Sequence, residues 1–451
     1  MKLVTPSLVI EDSDGFRNDI FQRQQFGEAL SNLVINSTDE LVISLDGKWG
    51  EGKTTFVKMW QGYLKEKGIP SIYIDAFQND YTDDAFISIA SAITLYEDQH
   101  STDAAESSDF KKKAKKVGVR LLSWTAKVGI KAATLGIIKE SDIEALSEIG
   151  DDVADDASET VESLVKERLD THAKETNLIQ SFRESLSDLP AKLKDNQNGR
   201  LVIIVDELDR CKPSFAVEIL EKIKHLFSVK NVVFLLVMNK QQLEEAIKSV
   251  YGNNIDAHTY LQKFINVETS TPKRIDDRDN NDIELYVKKL LQVHEITTWG
   301  DDEQIFHFLV PLALHFNLSL RQLEKVFTNL AIIYSTSTEN HLRVVPIIAF
   351  ISVVKVVAPN VFADLLLRKV SYSKLCEQLR FRELDKENET ERKLIWLMTW
   401  ISFSTLTESE YQNVDANDPI KRHEQLYVRY SISRERLLPM FCEKLSMFTV
   451  N

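Results

Sequence analysis

Apolar residues recur along this chain with two different periods, and the periods sort it into parts. In residues 41–97 and 199–270, short unbroken apolar runs alternate with segments whose apolar residues return every three or four positions. The runs at 41–45, 71–74, 201–205 and 232–237 predict strands, and 201–205 reads as a strand buried on both faces, as in a parallel sheet covered by helices. The segments between them predict helices at 21–35, at 53–67, from about 83, and at 213–227, where Pro213 suits a first helical turn. Gly68 and Pro70 close the second of these before the next strand. From about 275 no strand pattern persists, and helices are predicted at 283–293, 304–315, 320–334, 346–357, 393–403 and 433–445. The apolar stretch 344–367 is interrupted by Pro346, Lys355, Pro359 and Asp364, so it reads as two core helices and falls short of the ~20 apolar residues a membrane span needs.

Residues 98–198 break the α/β alternation. A polar linker leads into Lys111, Lys112, Lys113, Lys115 and Lys116. Beyond it Val117, Leu121, Trp124, Val128 and Leu135 recur at helical spacing beside a basic stripe of Lys116, Arg120, Lys127 and Lys131. Such a helix fits an anionic membrane surface or an acidic partner, and it equally fits docking on its own domain with the lysines in water. An acidic run with Asp151, Asp152, Asp155 and Asp156 follows, able to pair with the stripe in cis. The expected fold class is therefore α/β: a parallel sheet built from residues 1–97 and 199–272, a charged helical insertion at 98–198, and an all-α C-terminal domain at 273–451.

Candidate chemistry sits where two of the predicted strands end. After 41–45 comes Gly47-Lys48-Trp49-Gly50-Glu51-Gly52-Lys53-Thr54, a GxxxxGK[ST] loop that opens a helix. In that setting backbone N–H groups converge on phosphates, Lys53 offers a cation to the β- and γ-phosphates, and the Thr54 hydroxyl can ligate Mg²⁺. Gly47, Trp49, Gly50, Glu51, Gly52, Lys53, Thr54 and Thr55 are the expected nucleotide contacts. After 201–205 come Asp206 and Glu207, at the strand end where open α/β sheets bind ligands. Asp206 suits the Mg²⁺ shell, and Glu207 suits orienting and deprotonating the attacking water. This places the sheet among P-loop NTPases.

Further candidates surround this pair. Asn239, at the end of 232–237, could report the γ-phosphate or could cap the next helix. Asn239-Lys240-Gln241-Gln242 approaches a guanine-reading NKxD pattern, but Gln242 is an amide where a carboxylate is needed, so ATP is expected over GTP. Arg210 and Arg321 are candidate cations for the charge of a phosphoryl-transfer transition state. Asp75 and Asp80 either face the nucleotide or cap turns, and Arg23 and Phe26 are candidates for the base, with packing the commoner role for Phe26.

Composition narrows the setting. At 451 residues there is room for two or three domains of about 100–200 residues each. A hydrophobic fraction of 43% and a charged fraction of 27% are ordinary for a soluble globular protein. The net charge of −14 argues against nucleic-acid binding by the whole molecule and leaves a local basic patch open. Cys211, Cys376 and Cys442 lack metal-ligand spacing and fit a reducing cytosol, and the nine histidines form no zinc pattern. Residues 1–14 contain acids and no apolar core, so no secretory signal is expected. The expected location is cytoplasmic, with peripheral contact at the inner face of a membrane as the alternative.

With these residues in view, the chain resembles the KAP-type P-loop NTPases, relatives of the AAA+ and STAND ATPases. The loop at 47–54 is similar to the family's GxWGxGKT, the segment Tyr73-Ile74-Asp75-Ala76-Phe77-Gln78-Asn79-Asp80 to its "FNAW" strand, and Asp206-Glu207-Leu208-Asp209-Arg210-Cys211 to its "DDLDRC" element. Tyr260-Leu261-Gln262-Lys263-Phe264 resembles a further family segment, and the likeness runs over roughly 15–335. Family members often carry transmembrane helices where this chain has its charged insertion. Glu207, Phe77 and Asn239 stand where Asp, Trp and Asp are commoner. The resemblance implies a regulated ATPase using ATP and Mg²⁺, assembling as a homo-oligomer or with an effector protein, and in bacterial relatives often tied to defence against phage. A non-hydrolysing scaffold that recruits a partner or membrane through residues 110–138 is the alternative.

Overall fold

The computed structural model describes residues 1–6, 8, 10, 15–82, 84–101, 107–125, 161–274, 281–381, 384–424 and 432–448. Five strands form one wholly parallel sheet: β1 Leu41–Asp46, β2 Ser71–Asp75, β3 Leu201–Asp206, β4 Val232–Met238 and β5 Val267–Ser270, in the order β2-β3-β4-β1-β5. The register sets Asp46 against Met238 and Ser270, and Asp75 against Asp206, so every strand ends on the same edge. β3 and β4 are buried along their whole length, as their unbroken apolar runs imply. The apolar pattern does not announce β5. At the sheet edge Val-Glu-Thr-Ser alternates half-buried and exposed positions and contains no apolar run.

Alternation along each strand sends side chains to two cores. Ile43, Leu45, Ile204, Leu235 and Val237 meet Leu30 and Val34 of α1 Gln24–Asn36 and Phe56, Val57, Trp60 and Leu64 of α2 Lys53–Glu66. Trp60 is fully buried, and its indole N–H donates to the Gly27 carbonyl at 3.0 Å and the Ser31 hydroxyl at 2.9 Å, so its one polar group is satisfied. On the opposite face Val42, Ile72, Ile203, Val205, Phe234 and Leu236 face α3 Ala85–His100, α4 Ser107–Thr125, α5 Val161–Asp188, α6 Pro213–Lys222 and α7 Lys240–Tyr251. The predicted 213–227 helix ends α6 at Lys222 and widens to a π-turn over Ile223–Phe227. α8 Ala257–Leu261 leads on to β5.

The basic helix of the inserted segment is the described α4. Its Phe110, Ala114 and Val117 are buried against Phe86, Phe182 and Phe227, and Leu121 packs on the same cluster. The described part of its apolar side, Phe110 to Leu121, is thus engaged within its own unit. The side chains of Arg120 and Trp124, all of Lys127, Val128, Lys131 and Leu135, and the acidic run at 151–156 lie outside the described residues.

Contacts divide the chain into two compact units. One is Ile10–Lys48 with Lys53–Pro272, which holds the sheet; the other is Met1–Val9, Trp49–Gly52 and Lys273–Asn451. The second contains α9 Asp282–His294, α10 Asp302–His315, α11 Leu320–Ser335, α12 Val345–Val357, α13 Pro359–Leu366, α14 Tyr372–Gln378, α15 Glu389–Thr405, α16 Glu408–Gln412 and α17 Leu437–Ser446. α12 is buried from Val345 to Val354 because α10, α11, α13, α15 and α17 all pack on it, which explains a helix that is apolar all round. The 344–367 stretch divides at Ala358, before Pro359. No helix among the described residues is long and apolar enough to cross a membrane.

One buried acid costs this fold stability. Glu97, 2% exposed in the last turn of α3, lies where the helix dipole is negative, and its Oε2 is buried without a hydrogen-bond partner in the described structure. Burial first, then Asp98 and Asp109, push its carboxyl from 4.5 up to about 7 against the pull of Lys192 and Lys111. Because the folded-state value is the higher one, the penalty is absent below about 4.5, grows as pH rises through that window, and is complete above about 7. Glu97→Gln should therefore raise stability by roughly 2 kcal/mol at pH 8 and change it little at pH 4.5, read from denaturant melts across that range.

Candidate functional site

The loop at 47–54 begins where β1 ends, and Gly47 N–H donates to the Met238 carbonyl at the end of β4 (3.2 Å). Gly50 and Gly52 both have φ of +79°, a backbone region that side chains with a Cβ seldom enter. That conformation turns the chain sharply into α2, whose first residue is Lys53. The Lys53 ammonium folds back on the loop, donating to the carbonyls of Gly47 and Lys48, the latter at 3.2 Å. Thr54 follows in the first helical turn, and Thr55 is exposed.

The loop tip, Trp49–Gly52, clusters with the helical unit. Arg321 N–H donates to the Gly50 carbonyl at 3.3 Å, at the start of α11, which Ser319 and Gln322 close with a reciprocal capping box. Glu51 is buried and forms an ion pair with Lys273. Trp49 is 47% exposed.

Asp206 closes β3 and is 1% exposed. Its Oδ1 accepts the Glu207 backbone N–H at 2.8 Å and its Oδ2 accepts the Tyr73 hydroxyl at 3.0 Å. Burial pushes the Asp206 carboxyl up, opposed by Thr54, the Glu207 N–H, Tyr73 and the Lys53 charge. Glu207 takes a left-handed backbone, φ +62°, and its carboxylate is ion-paired with Arg210 in the same turn. Burial also pushes Glu207 up, with Arg210 opposing and Asp206 adding, toward the range useful for a general base. Lys53, Thr54, Asp206 and Glu207 thus surround the carboxyl edge of the sheet. The pair Thr54 and Asp206 offers the hard oxygen donors that suit Mg²⁺.

Neighbouring candidates make the following contacts. Asn239 caps α7, accepting from Gln242 N–H at 3.5 Å, and Lys240 donates its N–H to Asp46 (2.8 Å) and its ammonium to Glu268 (2.7 Å). Asp75 caps the turn at Ala76–Asn79, accepting from Gln78 N–H at 2.9 Å, and Asp80 accepts from Lys212 N–H at 3.2 Å. The Phe26 ring packs 5.1 Å from that of Phe56, and the Arg23 guanidinium lies 4.7 Å over the Phe21 ring. Sequence reasoning gave no role to Tyr73, Asp46 or Lys273. Asp46 immediately precedes the loop, the one local signal available; Tyr73 and Lys273 find their partners only through tertiary contact.

A parallel sheet with a glycine-turned phosphate loop after one strand and an acid pair after another defines a P-loop NTPase. The sequence profile of the KAP family P-loop domain matches residues 23–337, and the chain belongs to that family. A comparison with curated proteins gives no match. Among solved structures, the ORC2 protein of Aeropyrum pernix in its ADPNP–ADP complexes is similar at 12% identity and a TM-score of 0.36, over 94% of each chain, a loose likeness.

Gly50 leaves little room for a side chain. A Cβ there would lie 2.7 Å from Arg321 Cβ and 3.1 Å from Ser319 Oγ, in addition to the strain of its positive φ. Gly50→Ala should weaken binding of a fluorescent ATP analogue about tenfold or more, from a strain of roughly 1–2 kcal/mol, while the melting temperature shifts by a few degrees.

Proposed function

We propose that this chain is an Mg²⁺-dependent ATPase whose nucleotide state is passed to its helical residues, so that it acts as a switch in a larger assembly. The observation that carries this reading is that Lys53 and Thr54 of the phosphate loop lie close enough to Asp206 of the third strand to favour its charged form. Thr54 and Asp206 would hold Mg²⁺, which when bound neutralises charge on the β- and γ-phosphates. Lys53 exchanges the loop carbonyls for phosphate oxygens. Glu207 accepts the proton of the attacking water once it leaves Arg210, and its raised pKa favours that acceptance. A cation for the transition state is then Arg210 after release, or an arginine from a partner in the assembly.

ATP is favoured over GTP because position 242 is an amide and Lys240 is engaged by Glu268. The tip contacts of Gly50 with Arg321 and of Glu51 with Lys273 give the loop a path to the helical residues. Lys53→Ala should abolish both nucleotide binding and phosphate release. Glu207→Gln should retain ATP binding while turnover drops by about 10²-fold or more. Phosphate release unaltered by both substitutions would exclude this mechanism, and tight ATP binding with no turnover in the wild type would favour the scaffold.

A further inference from the structure

We propose that Lys273 is a positioning residue that neutralises Glu51 inside the phosphate loop, and that without it the loop repels the triphosphate it is built to hold. This role rests on the proposed ATP site. A carboxylate is at odds with the rest of the loop. The turn at 47–54 presents backbone N–H groups and opens α2 at Lys53, a field that favours anions. Glu51 stands in that field two residues before Lys53 and is 8% exposed. It is an anion already in place, and burial strengthens its repulsion of a second one because little water screens it. Glu51 therefore counts against several phosphate oxygens unless a cation stands beside it.

Lys273 is that cation, ion-paired with Glu51 from 222 positions away. Its place is fixed on both sides. Just before it, Thr271 N–H donates to the carbonyl of Asp46 at 3.4 Å, and Asp46 is the residue that precedes the loop. Just after it, the Arg274 guanidinium pairs with Asp282 in the first turn of α9 at 3.1 Å, and Asp282 N–H returns to the Arg274 carbonyl at 2.9 Å. The lysine is thus carried by the chain between β5 and α9, outside the loop whose charge it balances. Of the pair, Glu51 is the more deeply buried, so it is the partner that suffers most when the other is removed.

The test is binding of fluorescent ATP and ADP analogues to the full chain in the presence of Mg²⁺. Lys273→Met should weaken the ATP analogue about tenfold or more and the ADP analogue less, since the repulsion grows with the charge of the ligand. Glu51→Gln alone should keep or improve both affinities. In the Glu51→Gln background Lys273→Met should cost less than about twofold, because it acts only through that carboxylate. Lys273→Arg, which keeps the charge, should stay within about threefold of the wild type. A loss undiminished in the Glu51→Gln background would mean that the lysine touches phosphate itself, and a loss from Glu51→Gln alone that the pair only shapes the loop. Either result, or no loss from Lys273→Met, would overturn the proposal. Lys273→Gln, which keeps a donor without the charge, carries the same test if the methionine variant does not fold. ATP-analogue affinity untouched by Lys53→Ala would instead remove the site reading itself.

Discussion

The carboxylate of Asp206 is the point on which the candidate site turns. It is almost wholly withdrawn from water and is tolerable there because donors from its own turn and the neighbouring strand bond to it, and Lys53 and Thr54 of the phosphate loop favour its charge. Each is positioned by something larger. The parallel register places β2 beside β3; the glycine turn delivers Thr54 into the first turn of α2; the left-handed step at Glu207 bends the chain so that its N–H faces back. The burial that makes this carboxylate costly also makes it a strong site for a cation.

Order in the sheet follows from the same economy of buried polar groups. β4 lies between β1 and β3, so the phosphate loop and the acid pair are two strands apart, roughly 10 Å at the usual strand spacing. The gap is bridged by side chains instead of by backbone. Lys53 and Thr54 supply the bridge from one side and Asp206 from the other, while Asp46 and Lys240 lock the ends of β1 and β4 to Glu268 of the edge strand. The polar residues at this edge are held by each other, and the apolar residues behind them by two separate cores.

The helical unit shows a different solution to burial. α12 is apolar almost throughout because neighbours cover it, and its one charge, Lys355, sits in its last turn and donates to the Leu445 and Phe448 carbonyls. Four residues of the phosphate loop cluster with this unit, which ties the shape of the glycine turn to Arg321, Ser319 and Lys273. Gly50 is therefore constrained twice, by its own dihedral angle and by the space its hydrogen occupies.

The strands β1 to β4, most helices outside the inserted segment and the two ends of the site were legible in the residues, because burial on both faces writes an unbroken apolar run and a phosphate loop needs glycine at fixed spacing. β5 was not, since an edge strand owes its pairing to a neighbour and carries no run of its own. Nor were Tyr73, Asp46 and Lys273 legible as partners: a hydrogen bond between residues far apart depends on strand order and register, which local pattern does not encode. Asn239 and Asp75, each at or just beyond a strand end, also accept the N–H that opens the next helical turn, and Asp80 reaches across to Lys212, contacts that follow from the fold. Sequence alone determined which chemical groups this protein possesses and on which kind of element each rides. Only the tertiary structure decided which of them share a carboxylate, because that choice is made by the packing of strands and not by the period of the chain.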